Sequence, residues 1–375
     1  MPISPRIAIV IPSPGAYSET FINAHVDHLP GVVRVLVDGL LPRRLSTGES
    51  LMRGDRLGRV LDALIARSLG TGSKGLLQRR VARQLERDRV DVLLAEYGNT
   101  GVAMLPSSLR ANVPLVVHFH GFDAHRTDVL ADMDNYRALF EGAAAIVVVS
   151  RAMEAQLLSL GAPREKLFYN CYGIDVDRFT SGDPANAPAR FVAVGRFVNK
   201  KAPLLTLEAF RLALEQRPQA HLTMVGSGPL MEGCAQVIKA FAIEEQVELA
   251  GVRTPEEIAD LLRGARGFVQ HSVRALNGDS EGTPLAVLEA MATGIPVIAT
   301  RHAGIVDVVA HEERGLLCDE FDVRTMAGNF LRLIDDPALA GRLGRAGRAY
   351  VEQNHRVQDR IATLQGILER AATRS

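Results

Sequence analysis

Ten short apolar runs that do not alternate with polar residues constrain this chain more than any other feature of it. Five come early, at 7–11, 33–37, 90–95, 114–118 and 145–149, and five later, at 191–194, 221–225, 247–250, 267–270 and 296–299. A strand with one wet face alternates, whereas a strand covered on both faces does not, and such cover is the mark of parallel sheets flanked by helices. Stretches of helical spacing, such as Pro203–Gln216 and Thr254–Arg263, lie between the runs and complete a βαβ rhythm. The two sets of runs are separated by a segment rich in Asp, Gly, Pro and Ser that ends in Pro184-Ala-Asn-Ala-Pro188, the composition of a linker. The reading is an α/β chain of two Rossmann-like, doubly wound parallel-sheet domains, at residues 1–170 and 191–355, joined by a hinge at 171–190. A helical, Arg-rich tail follows, and residues 356–375 are expected to pack back on the first domain.

A length of 375 residues suits two cores better than one. With 47% apolar and 23% charged residues the chain is an ordinary folded one, and its zero formal net charge gives no reason to expect a nucleic-acid partner. Cys171, Cys234 and Cys318 are far apart and odd in number, which fits neither a zinc site nor a disulfide scaffold and implies reduced thiols. The first apolar run is strand-length, and no run approaches the roughly 20 apolar residues of a membrane span, so a cytoplasmic protein is expected. Charge is uneven locally: between Leu41 and Val90 there are twelve Lys/Arg and five Asp/Glu.

Ligands of open parallel sheets bind at the carboxyl ends of strands, so the polar residues just after each run carry the chemistry. The strongest pattern is Glu281-Gly282-Thr283-Pro284-Leu285, continuing to Glu289 and Gly294. Thr283 reads as a helix N-cap with Pro284 in the first helical position, and the amides of that helix start can receive an anion. Glu289 falls about two turns beyond Glu281, so both carboxylates can face one hydroxyl-rich ligand. The same spacing also fits a helix-dipole carboxylate at Glu281 and a surface residue at Glu289. Gly195-Arg196 and Lys200-Lys201 follow another run, where a guanidinium and an ammonium can clamp a diphosphate; solvated surface charge is the alternative. His118 and His120 follow the fourth run, and a His there can meet a sugar hydroxyl or serve only the structure. No third ligand stands at helical or hairpin spacing from the pair, and no metal is expected. The loop Pro12–Phe21 lacks the Gly-x-Gly-x-x-Gly fingerprint of a dinucleotide oxidoreductase.

Taken together, these residues resemble the retaining glycosyltransferases of GT-B architecture, family 4 type, over nearly the whole chain. The most specific element is Glu281-x7-Glu289 with Gly282, Pro284, Gly294 and Pro296; Gly195-Arg196, Lys201, Gly226-x-Gly228-Pro229 and Gly173-Ile174-Asp175 add to it. Ser18-Glu19-Thr20-Phe21 and Asn277–Gly282 look like the subset that builds bacterial exopolysaccharide or colanic-acid-type units. The resemblance implies two domains facing across a cleft, and sugar transfer with retention from a nucleotide-diphosphate-sugar donor, without a divalent metal, to a glycan or lipid-linked sugar. It implies that Arg196 and Lys201 hold the donor diphosphate, with Gly15 near the β-phosphate. It further places Glu281 on the transferred sugar, Glu289 on the ribose, the amides from Gly282 and Thr283 to Leu285 on sugar or phosphate, and those around Val252 on the base. His120 would stand near the anomeric carbon. Where many relatives carry a Gly-Gly pair in the first loop, this chain has Pro14-Gly15-Ala16. A nucleotide-sugar epimerase on the same architecture, or a two-lobed binding protein without catalysis, are the other readings. The basic 41–90 region, with Leu51, Leu57, Val60, Leu61, Leu64 and Ile65 at near-helical spacing, can either pack its apolar stripe on the first sheet or dock reversibly on an anionic membrane.

Overall fold

The computed structural model describes residues 4–13, 20–52 and 56–373, apart from the side chains of Arg56, Leu57 and Arg59. Gly15, Ser18, Glu19 and Arg53 therefore lie outside the described residues. The chain divides into two compact units, one of residues 1–171 with 358–375 and the other of residues 172–357.

In the first unit the strands are β1 (Ile7–Ile11), β2 (Val32–Val37), β3 (Arg44–Leu45), β4 (Val92–Glu96), β5 (Leu115–His118), β6 (Ala145–Val148) and β7 (Leu167–Tyr169). They form one sheet in the order β3-β2-β1-β4-β5-β6-β7, parallel except for the short β3, which runs against β2. Every residue of β1, β4, β5 and β6 is buried, the burial that the unalternating runs require. The strand order reverses between β1 and β4.

The second unit repeats the plan with β8 (Arg190–Val194), β9 (His221–Val225), β10 (Val247–Gly251), β11 (Gly267–Gln270), β12 (Val297–Thr300) and β13 (Gly315–Cys318), in the order β10-β9-β8-β11-β12-β13 and parallel throughout. This is the doubly wound order, with its switch between β8 and β11. Phe191, Phe210 and Phe330 meet edge to face in its core, with centroids 4.7 and 5.4 Å apart; burying each contributes about 1.5–3 kcal/mol. The helix Pro255–Arg263 starts at a capping box between Thr254 and Glu257.

The first half of the segment expected as a hinge is packed, while residues 180–190 are mostly exposed or half-buried. Tyr172, Ile174, Val176 and Phe179 are buried, and Ile174 bridges to Arg356 within the second unit. The tail forms the helices Pro337–Asn354 and Val357–Thr373. Asn170 donates a side-chain hydrogen bond to the Arg360 carbonyl in the first unit. Among the described residues no helix is long and apolar enough to cross a membrane. All three cysteines are buried and none is in a disulfide.

Candidate active site

In the second unit the candidate residues gather at the carboxyl edge of the sheet. Gly195 and Arg196 follow β8, and the turn Gly226–Pro229 after β9 lies against them. Gly226 and Gly228 have φ of 131° and 155°, and a Cβ on either would overlap the backbone of Gly195 or Phe197; only glycine lets the two loops approach this closely. Phe197 donates its amide to the Ser227 carbonyl at 2.9 Å. With its backbone so fixed, Arg196 stands exposed and makes no ion pair among the described residues. A pocket beside it is lined by Gly195, Arg196, Phe197, Lys201, Val225 and Gln270.

The long loop after β11 brings Glu281 to this place. Its Oε1 is 3.2 Å from Lys201 Nζ. Burial pushes the Glu281 carboxyl up, but the charges of Lys201 and Lys200 outweigh it and hold the group at about 2. Burial lowers the Lys201 ammonium, with Glu281 opposing. Lys200, which the sequence offered as a second clamp cation, is turned inward, and its Nζ donates to Asp279 Oδ1 at 3.0 Å and to the Ser280 carbonyl at 3.1 Å. Lys200 thus fastens the loop, and Lys201 is the one of the two that lines the pocket.

Gly282, Thr283 and Pro284 are buried, and the helix that follows runs Leu285–Ala292. The expected capping is corrected here: Pro284, with an extended ψ of 120°, is the N-cap and Leu285 the first helical residue, and no side chain caps the start. The ring fixes the φ of Pro284 but its ψ lies outside the helical range, so the helix begins one residue later. Glu289 sits near Lys201 and Arg178, yet burial dominates and pushes its carboxyl up to about 7. Val252 is half exposed on the turn after β10.

The first unit builds a different cluster. Glu96 closes β4 and is fully buried, accepting from His25 Nδ1 at 2.8 Å and from His120 Nε2 at 2.7 Å. Burial opposes ionisation of Glu96, but the two imidazoles prevail and lower its carboxyl. Burial, with the neighbouring His120 and His25, drives His118 well below the usual imidazole range. Asp123 ties the loop down, accepting from the amides of His120 at 3.0 Å, Gly121 at 2.9 Å and Gly98 at 2.8 Å.

Of the His-x-His pair, His118 finds further metal-capable donors in space. Donor atoms of His25, Glu96 and His118 lie within 4.8 Å of one another. Seventy-one residues separate His25 from Glu96, so no local spacing rule could have found them. Both Glu96 oxygens are already engaged by imidazoles. Sequence reasoning also missed His302, which follows β12 and touches the Glu281 backbone; its only signal was its place just after an apolar run.

The comparisons with known proteins bear on the family and the fold. The description Glycosyl transferases group 1 matches residues 178–350, and Glycosyl transferase 4-like domain matches residues 14–173. The amylovoran biosynthesis glycosyltransferase AmsK of Erwinia amylovora is 32% identical over 315 residues, covering 82% of this chain and 77% of that protein. The putative colanic acid biosynthesis glycosyltransferase WcaL of Escherichia coli K12 is 31% identical, covering 74% of this chain and 70% of that one. Among solved structures, Anabaena Alr3699/HepE in complex with UDP and glucose superposes with a TM-score of 0.75 at 18% identity, covering 97% of this chain and 99% of that chain. Sucrose-phosphate synthase from Thermosynechococcus elongatus gives 0.74 at 20% identity, with 98% and 99% covered. These two share the fold, two parallel-sheet α/β units of the GT-B type. With its sequence matched from residue 14 to 350 and a relative this similar over four-fifths of its length, the chain belongs to the group 1, 4-like family of glycosyltransferases.

Proposed function

We propose that this glycosyltransferase moves a sugar from a nucleotide-diphosphate-sugar to an acceptor hydroxyl with retention of configuration, in the assembly of a bacterial exopolysaccharide. The observation that carries the reading is the Lys201–Glu281 ion pair beside an exposed Arg196 at the strand-order switch of the second sheet. Departure of the nucleotide builds negative charge on the diphosphate, and fixed cations and uncapped helix amides stabilise it, each well-placed donor contributing a few kcal/mol. Arg196, Lys201 and the amides from Thr283 to Leu285 fill that role in the proposal, so no divalent metal is needed. Glu281 receives hydroxyls of the sugar, Glu289 the ribose, and the turn at Val252 the base, while His120 is the first unit's contribution at the transferred sugar. Gly15 keeps the β-phosphate role that the resemblance implies. A carboxylate nucleophile is not invoked: leaving-group-assisted attack on the same face accounts for retention. Alr3699/HepE, whose structure holds UDP and glucose, and the amylovoran and colanic acid relatives support the donor and pathway class.

A thermal-shift panel of UDP-, GDP- and dTDP-sugars, followed by nucleotide release with and without acceptor, tests this. Transfer requires acceptor-dependent release and a product with the donor's anomeric configuration; isomerised donor without release would mark an epimerase, and binding without turnover a mere binding protein.

A second observation bears on the acceptor. On the helix Arg56–Ser68, Asp62 is buried and paired with Arg80 at 3.1 Å, whereas Val60, Leu61 and Leu64 are exposed. Three residues of the apolar stripe thus face outward on the helix that also carries Arg67, whereas Leu51 is buried and Ile65 half-buried. An apolar face with basic neighbours is drawn to anionic bilayers, each nearby cation adding about 1 kcal/mol. We therefore read the acceptor as a lipid-linked sugar, with this helix docking reversibly at the inner membrane face. Co-sedimentation with anionic and neutral vesicles checks it: equal, negligible binding to both would point to a soluble acceptor.

A further inference from the structure

Glu281 sits on a loop without regular structure between β11 and the helix Leu285–Ala292, so something else must hold its carboxylate against Lys201. Lys200 grips Asp279 and Ser280, as described, and the Gly304 amide donates to the Gly282 carbonyl at 3.0 Å. Between these two points stands His302, a residue with 3% exposure just after β12. Its Nε2 accepts the Glu281 backbone N–H at 3.2 Å and lies 3.0 Å from Ser280 Oγ. Its Nδ1 is 2.6 Å from Oε1 of Glu320, which follows β13. The other Glu320 oxygen accepts the Arg274 amide at 2.9 Å, on the same loop as Glu281.

A backbone N–H can only donate, so Nε2 must be bare, and the single ring proton is on Nδ1, directed at Glu320. Three strand ends are thereby joined by one chain of hydrogen bonds, which terminates on the amide of the residue paired with Lys201. A proton on Nε2 would set two donors against each other and break the chain at that amide.

We propose that His302 is a positioning residue for the sugar donor: its bare Nε2 holds Glu281 in place, Glu320 fixes the tautomer, and protonation of Nε2 releases the loop. The inference rests on the reading of Glu281 as a contact of the donor sugar. The charged groups around His302 are Glu320 after β13, Glu281 and Asp279 on the loop, and Lys200 and Lys201 after β8. His271, after β11 and close to Glu320, accepts the Phe321 amide through its own Nε2 at 3.1 Å and is kept near 4 by burial.

The test uses the full chain with UDP-glucose, or GDP-mannose should the panel select it, and follows nucleotide release from about pH 5 to 8, where histidines titrate. Wild type is expected to lose turnover on the acid side. Gln at position 302 can offer an oxygen near the place of Nε2 and cannot be protonated, so His302→Gln should retain activity and lose the acid limb. His302→Ala should lose turnover on the order of 10- to 100-fold, the rate equivalent of one well-placed hydrogen bond, while affinity for UDP alone stays within about twofold because Arg196 and Lys201 are untouched. Turnover is read at saturating donor, so that the pH dependence Glu289 gives to nucleotide affinity does not enter; there an acid limb left unshifted in His302→Gln, or its absence from wild type, overturns the proposal, even if the alanine variant fails to fold. Glu281→Gln, run alongside, separates the two failures: if it turns over like wild type, the donor-contact reading of Glu281 falls and this inference with it.

Discussion

The two units share one topology and place opposite kinds of charge at the carboxyl edge of their sheets. In the second unit permanent cations meet carboxylates: Lys201 faces Glu281, Lys200 grips Asp279, and Arg196 is exposed and makes no ion pair among the described residues. In the first, the partners recorded for the buried Glu96 are imidazoles, those of His25, His118 and His120. A diphosphate needs charge that does not titrate away near neutrality, which Lys and Arg supply. An uncharged sugar or a hydroxyl asks instead for oriented donors and acceptors, which a carboxylate-held imidazole supplies. In the proposed function the same fold is specialised by its loops, one edge for an anion and the other for neutral groups.

The sharpest way to break this contrast is to remove the second unit's cations. Arg196→Ala and Lys201→Ala should each reduce transfer by at least about 10²–10³-fold, the loss typical of one donor that stabilises a developing negative charge. Thermal melting should stay close to wild type for Arg196→Ala. Near-normal turnover in either variant would remove the anion assignment from this edge.

On the first unit the same logic predicts a loss of stability. Glu96→Gln leaves an amide between two imidazoles that were donating to a carboxylate, and one buried group is left without a match. The expected penalty is about 1–3 kcal/mol in denaturant unfolding. A variant as stable as wild type would mean that the His25–Glu96–His120 chain contributes nothing to the fold.

A finer comparison lies within the second unit, between Glu281 held at about 2 and Glu289 raised to about 7. The Glu289 carboxyl of the folded state stays protonated over a range where the unfolded chain has ionised, so its burial opposes folding as pH rises through the usual carboxylate range. That opposition is complete above pH about 7. Glu289→Gln should therefore gain stability relative to wild type between about pH 5 and 8. Ribose hydroxyls donate best to an ionised carboxylate, so UDP affinity should tighten with rising pH in wild type more than in the variant. Parallel pH profiles of the two proteins would remove Glu289 from the ribose site.

The smallest expected effect is that of a chelator. Excess EDTA should change transfer less than about twofold if cations of the chain alone meet the diphosphate. Full loss, restored by a divalent ion, would overturn metal independence and direct attention to His25, Glu96 and His118.

How far the sequence could be read depended on how locally each feature is written. β1, β4, β5 and β6 announced themselves because two-sided burial leaves an unbroken apolar run. β3 is two residues, Arg44 and Leu45, on an antiparallel edge, and β7 is three residues long and only half-buried, while in β13 the apolar run is just Leu316, Leu317 and Cys318, between Gly315 and Asp319. Glu281 and Lys201 were legible because each lies in a contiguous motif after a strand. Glu96, by contrast, means nothing until the fold brings it to His25 and His120, and His302 becomes visible only through the amide of Glu281. The outward turn of Val60, Leu61 and Leu64 was undecidable from periodicity, since a helical stripe reports that one face is apolar and not which way it points.

The division of the chain has a consequence for synthesis. Residues 358–373 belong to the first unit, although they leave the ribosome after every residue of the second. The helix Val357–Thr373 contributes Ile361, Leu364, Ile367 and Leu368 to buried positions. During translation the second unit can close as soon as its own residues have emerged, whereas the first must wait with an uncovered apolar surface until that helix arrives. At about 5–20 residues per second, the 186 residues from Tyr172 to Val357 hold the earlier-made unit open for roughly 10–40 seconds. The part of the molecule made first is therefore the part completed last.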